Sequence, residues 1–327
     1  MQAAWYSHNG SARDVLRVGE QATPTPAAGE VRVKLRTSGV NPSDVKSRTA
    51  RPVTDALIIP HSDGAGVIDA VGDGVSSSRI GERVWIWNGQ WQRPLGTACE
   101  YIALPQQQAV ALPAQVDDDA AACLGIPALT AIQAVHLAGE VKGLTVLVTG
   151  ASSAVGHYIA QLLTQQGAQV IGTVGSEAKA AHARSAGCQH VIFYKTESVA
   201  ERIQAFTHGR GVDVIIDMDF SGTSPLLGTG ALKSHGTVVC YGSNNPGEVP
   251  VPFRALLYSS ITLKFFLVYD LSPQDRAWCL DKLSSLLQAN ALQHTIAAKF
   301  KLKDILQAHE AVEQGRLIGN VVIDLTS

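Results

Sequence analysis

The chain has little of what marks membrane, disulfide-rich or nucleic-acid-binding proteins. Its five cysteines are scattered, odd in number and without a C-x-x-C pair, so they predict neither a disulfide framework nor a structural zinc site. The longest apolar region, residues 120–138, is interrupted by polar residues and proline and predicts a buried helix instead of a membrane span. A formal net charge of only −2 provides no basic field for nucleic acid or an anionic membrane. The N-terminal residues also lack a basic segment followed by an apolar one, and we expect a cytoplasmic protein without disulfides.

The 327 residues are enough for two domains, and the character of the chain changes near Leu124. Short strand-like runs separated by turns precede this point and predict a compact β domain. Strand-like and helical runs alternate after it and predict a doubly wound parallel sheet. From about Ser272 we expect the chain to return to the first domain through a helix at 274–288 and a closing strand at 321–325.

A strand, a small-residue turn and a helix at residues 144–165 form the most informative segment. This arrangement presents backbone N–H groups and a helix N-terminus to a diphosphate. The usual three glycine positions hold Ala151, Ser153 and Gly156, all of them small. An NAD site places an acidic residue about 20 positions further on, at the end of the next strand. In this chain the next strand-like run, residues 170–174, ends in Val174 and is followed by Gly175. The pattern therefore predicts NADPH.

Two other enzyme classes have similar turns. Residues 150–154 resemble a degraded nucleophile elbow of a hydrolase, but the last small residue is not glycine and no glycine-rich oxyanion segment precedes it. Residues 149–156 also resemble the opening motif of short-chain dehydrogenases. Those enzymes carry a Tyr-x-x-x-Lys pair, whereas no tyrosine in this chain has a lysine four positions later.

Six ordered segments resemble the zeta-crystallin-like quinone oxidoreductases of the medium-chain dehydrogenase/reductase superfamily. They are residues 39–44 (GVNPSD), 62–72 (SDGAGVIDAVG), 81–85 (GERVW), 124–131 (LGIPALTA), 145–156 (TVLVTGASSAVG) and 238–243 (VVCYGS). The resemblance implies an α/β protein with a GroES-like β domain at 1–124 and 271–327 and a Rossmann domain at 125–270. It also implies an active site in the interdomain cleft.

The resemblance further implies a metal-free site. Zinc-dependent members carry cysteine or histidine ligands where this chain has Asn41, Ser62 and Ile126, none of which offers the nitrogen or sulfur donor that zinc prefers. His61 lies one residue out of register. Without a metal, reduction of a quinone or of an enone is simpler than oxidation of an alcohol, because the acceptor is already electrophilic.

Three residues of the first domain match the family's substrate site. Asn41 is predicted to donate a hydrogen bond to the acceptor oxygen, and Asp44 and Arg48 are retained beside it. Lys46 stands where many relatives have tyrosine. The alternative for Asn41 is a purely structural role in the turn before Pro42.

The residues that the resemblance assigns to NADPH come from both domains. Lys179 and Tyr194 match a lysine and a tyrosine that contact the 2′-phosphate, Thr130 faces the nicotinamide, and Phe266 lines the cofactor cleft. The others are Ser152, Ser153, Ala154, Val155, Gly175, Ser176, Gly242, Ser243, Asn244 and Asn320.

We therefore expect an NADPH-dependent quinone reductase, with an alkenal or enone reductase as the second possibility. A largely non-catalytic nucleotide- or RNA-binding role, as in some relatives, is the third. The family resemblance also predicts a homodimer, and the apolar, proline-containing segment 249–257 with residues 261–263 is predicted to be extended and to pair sheet edges.

Overall fold

The computed structural model describes residues 1–326, which form two compact units. The first unit consists of Met1–Ile126 together with the chain from Leu287 onward, and the second is Pro127–Leu286. No helix of the described residues is both long and apolar enough to cross a membrane.

Fifteen strands and eleven α-helices make up the described chain. The strands are β1 (Gln2–Trp5), β2 (Arg17–Glu20), β3 (Glu30–Val40), β4 (Asp63–Val71), β5 (Arg83–Ile86), β6 (Tyr101–Pro105), β7 (Ala109–Ala111), β8 (Thr145–Val148), β9 (Gln169–Val174), β10 (His190–Phe193), β11 (Val212–Asp217), β12 (Leu232–Cys240), β13 (Thr262–Phe265), β14 (Ile296–Lys301) and β15 (Asn320–Asp324). The helices are α1 (Ala12–Val15), α2 (Pro42–Ala50), α3 (Asp118–Ala121), α4 (Leu129–Ala138), α5 (Ala154–Gln165), α6 (Glu177–Ser185), α7 (Val199–Phe206), α8 (Phe220–Thr223), α9 (Phe253–Tyr258), α10 (Pro273–Gln288) and α11 (Ile305–Gln314).

The first unit is built on a seven-stranded sheet in the order β14-β15-β3-β4-β5-β7, with β6 paired to β3. Its pairings are antiparallel except for the parallel pair β14 and β15. Alternate residues of β3, namely Val31, Val33 and Leu35, are buried, as expected for a strand with one face on the core. This is the predicted GroES-like β domain.

The second unit contains a six-stranded sheet in the order β10-β9-β8-β11-β12-β13, and all its pairings are parallel. Its central strands β8 and β11 carry buried apolar runs at residues 146–148 and 214–216, as expected where helices cover both faces of a sheet. The strand order reverses between β8 and β11, and ligands bind outside the carboxyl ends of strands at such a point. The predicted Rossmann domain is therefore confirmed.

The chain leaves the second unit later than the sequence suggests. The predicted boundary at 270 would assign all of α10 to the first domain, whereas the second unit extends to Leu286. The reason is packing: Cys279 donates its thiol hydrogen to Gln133 Oε1 of α4 over 3.2 Å, and Arg276 donates to the carbonyl of Val268.

The prediction that residues 249–257 are extended was wrong for its second half. Phe253–Tyr258 forms α9, which begins directly after Pro252. Proline stops the preceding strand-like run, and Ala255, Leu256 and Leu257 favour a helix. The following strand β13 does lie at the edge of its sheet.

Candidate active site

The turn between β8 and α5 holds the residues that are predicted to bind a diphosphate. Ser153 is the N-cap of α5, and its hydroxyl accepts the N–H of Gly156 over 3.0 Å. A Cβ atom on Gly156 would lie 2.3 Å from the carbonyl oxygen of Gly150, so only glycine fits there. Ser152 is buried in the turn, and Ala154 and Val155 begin the helix. The small residues thus expose the N-terminal amides of α5, which favour an anion.

The ends of β9 and β10 form a second corner, because these strands are parallel neighbours. Ser176 is the N-cap of α6 and accepts the N–H of Lys179 over 3.4 Å. A Cβ atom on Gly175 would lie 3.1 Å from the hydroxyl of Tyr194, a residue that is 53% exposed. The structure therefore brings Lys179 and Tyr194, which are predicted to contact the adenosine 2′-phosphate, to the same corner as Gly175 and Ser176.

Lys195 belongs to the same corner and was not selected from the sequence. Its Cε atom lies 3.4 Å from the position of a Cβ on Gly175. Its position just after β10, the strand that pairs with β9, could have identified it from the sequence. A second cation beside the expected phosphate adds to the positive charge of this corner.

The carboxyl end of β12 holds the predicted nicotinamide residues. Asn244 donates its backbone and side-chain N–H groups to Asp219 over 2.8 and 2.7 Å, and Ser243 donates to the carbonyl of Asn245. Gly242 accepts the N–H of Phe220. Phe266 lines an open groove of the second unit together with Phe220, Cys240, Tyr241, Gly242 and Leu267. These contacts fix the loop that follows β12.

Thr130 and Asn320 are both buried, but they lie in different units. Thr130 is in the first turn of α4. Asn320 begins β15 and donates its backbone and side-chain N–H groups to the carbonyl of Thr295. The described contacts of Asn320 are therefore structural ones within the first unit.

Asp217 is a buried residue at the end of β11 that the sequence analysis did not select. One of its oxygens accepts hydrogen bonds from the hydroxyls of Thr149 and Thr223, each over 2.7 Å. These bonds join the ends of β8 and β11 at the point where the strand order reverses. An acidic residue ending an apolar strand was the available signal.

The predicted acceptor residues of the first unit surround the start of α2. Asn41 is the N-cap of this helix, and its backbone N–H donates to Asp44 Oδ2 over 2.7 Å. The Asn41 amide donates to Asp63 Oδ2, at the start of β4, over 2.8 Å. All three residues are buried. Asn41 therefore stabilises the turn and is also held beside two carboxyl groups.

Burial raises the pKa values of the two carboxyl groups beside Asn41. It raises the pKa of Asp44 to about 7, against hydrogen bonds from Asn41 that lower it. Burial also raises the pKa of Asp63 well above its usual range. Carboxyl groups in such surroundings favour the neutral form.

Arg48 points towards α11. Its side chain is fully buried, and Nη2 pairs with Glu313 of that helix. The retained arginine therefore links α2 to α11.

The positions of zinc ligands in relatives do not fit a metal in this chain. Asn41 offers an amide already bonded to Asp63, and Ile126 offers no donor at all. The imidazole of His61 contacts Ser38 and His309. Among residues 1–326, no three His, Cys, Asp or Glu side chains lie close enough together to hold an ion.

Comparisons with known proteins agree with this architecture. Residues 27–114 match the family "Alcohol dehydrogenase GroES-like domain", and residues 154–285 match "Zinc-binding dehydrogenase". A 2-haloacrylate reductase from Burkholderia sp is 29% identical over 91% of this chain and 92% of its own. The human quinone oxidoreductase is 27% identical over 92% and 91%.

Solved structures of other proteins are similar to this chain over nearly its whole length. A mycobacterial protein complexed with NADPH has a TM-score of 0.89 at 26% identity, covering 99% of this chain and 100% of its own. A quinone oxidoreductase from Pseudomonas syringae has a TM-score of 0.88 at 27% identity, covering 99% of both chains. The two matched models lie in both units of the chain, which therefore belongs to the medium-chain dehydrogenase/reductase superfamily.

Proposed function

We propose that this oxidoreductase reduces quinones by direct hydride transfer from NADPH, without a metal. The observation that carries the proposal is the buried Asn41–Asp63 hydrogen bond, at the place where zinc-dependent relatives hold their metal. It supplies a fixed amide donor instead of a Lewis acid.

NADPH fits the second unit. Gly156 lets α5 pack closely on the turn after β8, where a diphosphate would meet the amides of the helix N-terminus. Gly175, Ser176, Lys179 and Tyr194 lie at the end of β9, where Val174 stands in place of the acidic residue of an NAD site. The bound cofactor would supply the hydride. The chain's own groups bind its phosphates and, through the loop after β12, hold its reactive end.

In the first unit, Asn41 donates a hydrogen bond to the acceptor oxygen that gains negative charge. Its orientation is set by Asp63 and by its place at the start of α2. Burial raises the pKa values of Asp44 and Asp63, so both carboxyls favour the neutral form and oppose the new charge less. A quinone also stabilises its own reduced form, which lowers the demand on the protein.

Reduction of an alkene conjugated to a carbonyl is the second candidate. It requires the same hydride and the same donor at the developing enolate oxygen. The observation that favours it is the 29% identity to a protein described as 2-haloacrylate reductase.

A panel of quinones, enones and 2-haloacrylates tests both candidates through the oxidation of NADPH. We expect turnover with quinones, little with NADH, and no loss after prolonged dialysis against a chelator. Turnover confined to enones or haloacrylates would favour the second candidate. Stoichiometric zinc, with activity lost on its removal and regained on its return, would overturn the metal-free proposal.

A further inference from the structure

A chain of buried side chains in the first unit connects α11 to the acceptor residues. Thr97 Oγ1 bonds to the backbone oxygen of Asp63 over 2.5 Å, and Ser38 Oγ lies 2.8 Å from Thr97 Oγ1. His61 Nδ1 lies 2.9 Å from Ser38 Oγ, and His61 Nε2 lies 2.9 Å from His309 Nε2. All four of the linking residues are fully buried, namely Ser38, Thr97, His61 and His309.

The direction of every hydrogen bond in this series of side chains follows from the group at its end, the backbone carbonyl of Asp63. A carbonyl oxygen only accepts, so Thr97 donates to Asp63 and must accept from Ser38. Ser38 then has no second hydrogen, and His61 Nδ1 must donate to it. With a neutral His61 ring, Nε2 accepts, and His309 Nε2 donates. The two histidines therefore have opposite tautomers, with the proton on Nδ1 in His61 and on Nε2 in His309.

Arg48 supports this assignment at the other end. The tautomer leaves His309 Nδ1 as a bare acceptor, and this atom is buried without a hydrogen-bond partner, as are Nε and Nη1 of Arg48. The positive charge of Arg48 disfavours a protonated His309, and burial lowers the pKa of His309 to about 3 and that of His61 well below its usual range. Reversing the hydrogen bonds would put a proton on His309 Nδ1, a buried atom with no acceptor beside it.

The backbone of His61 adopts an unfavourable conformation in the structure that places its ring between Ser38 and His309. Its φ of 76° is in the left-handed region, which non-glycine residues adopt only at an energetic cost. The ring reaches Ser38 and His309 from this conformation. Because the chain ends on a backbone carbonyl, it cannot pass a proton to the acceptor, and its effect must be on geometry.

We propose that His309 and His61 are positioning residues of the acceptor site, which hold the backbone of Asp63 through Ser38 and Thr97 so that its carboxyl fixes the Asn41 amide. The proposal rests on the proposed role of Asn41 in hydride transfer. Aligned hydrogen bonds strengthen one another in a low-dielectric interior, so the chain acts as one unit.

The tautomers are tested without any activity measurement. The chain has ten histidines, so the signals of the two rings are assigned with His61→Gln and His309→Gln. Nitrogen NMR of the ¹⁵N-histidine-labelled protein at pH 7 should show His61 protonated only on Nδ1 and His309 only on Nε2. Identical tautomers, or a doubly protonated ring, would overturn the proposal.

Kinetics test the positioning role. His309→Leu removes the donor and should lower kcat about 10-fold, while the KM for NADPH stays unchanged. His309→Gln retains an N–H donor and should recover most of the loss. Ile305→Ala, a core change on the same helix, is the control for lost stability and should leave kcat near the wild-type value. Equal kcat losses in all three variants would indicate a merely structural role.

A double-mutant cycle links the chain to Asn41. If His309 acts through Asn41, the kcat losses of His309→Leu and Asn41→Ala should not add in the double variant. Full additivity would contradict the proposal. Ser38→Ala breaks the chain at its middle and provides the same test if His309→Leu fails to fold. An inactive wild-type enzyme would refute the proposed function instead, and the NMR result would still decide the tautomers.

Discussion

Asp44 is held in a buried position by the helix that it helps to begin. It accepts the backbone N–H of Asn41 and lies at the third position of α2, where an acidic side chain favours the helix dipole. The cost is loss of hydration, which raises the pKa of Asp44 to about 7. Its contribution to stability is therefore greatest below the unfolded value near 3.8 and is lost as pH rises through about 7.

Asp44→Asn should reveal this dependence. The asparagine retains an acceptor for the Asn41 N–H and does not titrate. The free energy of unfolding of the wild type relative to the variant should fall by about 3 kcal/mol between pH 4 and pH 7. Urea unfolding at several pH values measures it. Thr49→Val on the same helix introduces no titratable group and serves as the control. A difference that is independent of pH would contradict the prediction.

Lys179 decides between the two nicotinamide cofactors in our proposal. A charge-assisted hydrogen bond contributes roughly 1.5–3 kcal/mol. Lys179→Ala should therefore weaken NADPH binding about 10- to 100-fold and hardly change NADH binding, as measured by fluorescence titration.

Lys142→Ala, a surface change in the same unit, is the control for Lys179→Ala. Equal losses of NADPH and NADH affinity would remove Lys179 from the phosphate corner. Lys195→Ala measures how much the second cation adds.

At the scale of elements, the parallel strands could be predicted from sequence because their apolar runs are short and end in glycine, serine or acidic residues. The α5 turn could be predicted for the same local reason. Residues 253–258 could not, because their apolar, aromatic composition fits an edge strand as well as a short helix, and the proline before them decides.

The candidate site was predictable only where its residues are neighbours in sequence. Asn41 and Asp44 come from one motif, and so do Gly175, Ser176 and Lys179. Asp63, Asp217 and His309 contact their partners only after distant segments fold together, since β4 pairs with β3 and α11 packs against α2. The boundary in α10 was missed for the same reason.

At the scale of the whole molecule, we propose a homodimer through the edge of the second unit's sheet. Strand β13 ends that sheet, and the neighbouring helix α9 exposes Phe253, Leu257 and Tyr258 by 69, 60 and 76%. Exposed apolar side chains in such a group are typical of an interface.

Leu257→Glu with Tyr258→Glu should convert the dimer to a monomer, because the interface would bury two unpaired carboxylates. Sedimentation velocity at micromolar concentration measures it. Ile80→Glu, also at an exposed apolar residue but in the first unit, should leave the dimer intact. A monomeric wild type would refute the proposal.

The position of β15 determines the order in which a growing chain can fold. This strand, the last of the described chain, lies between β14 and β3 inside the first unit's sheet. The second unit, by contrast, is one continuous segment, Pro127–Leu286. During synthesis the cofactor-binding half can therefore complete its sheet while the half made first still waits for its final strand. Until β15 is made, residues 37–40 of β3, which pair with it, have an open edge. A chaperone that covers strand edges would act on these early residues rather than on the most recently made ones.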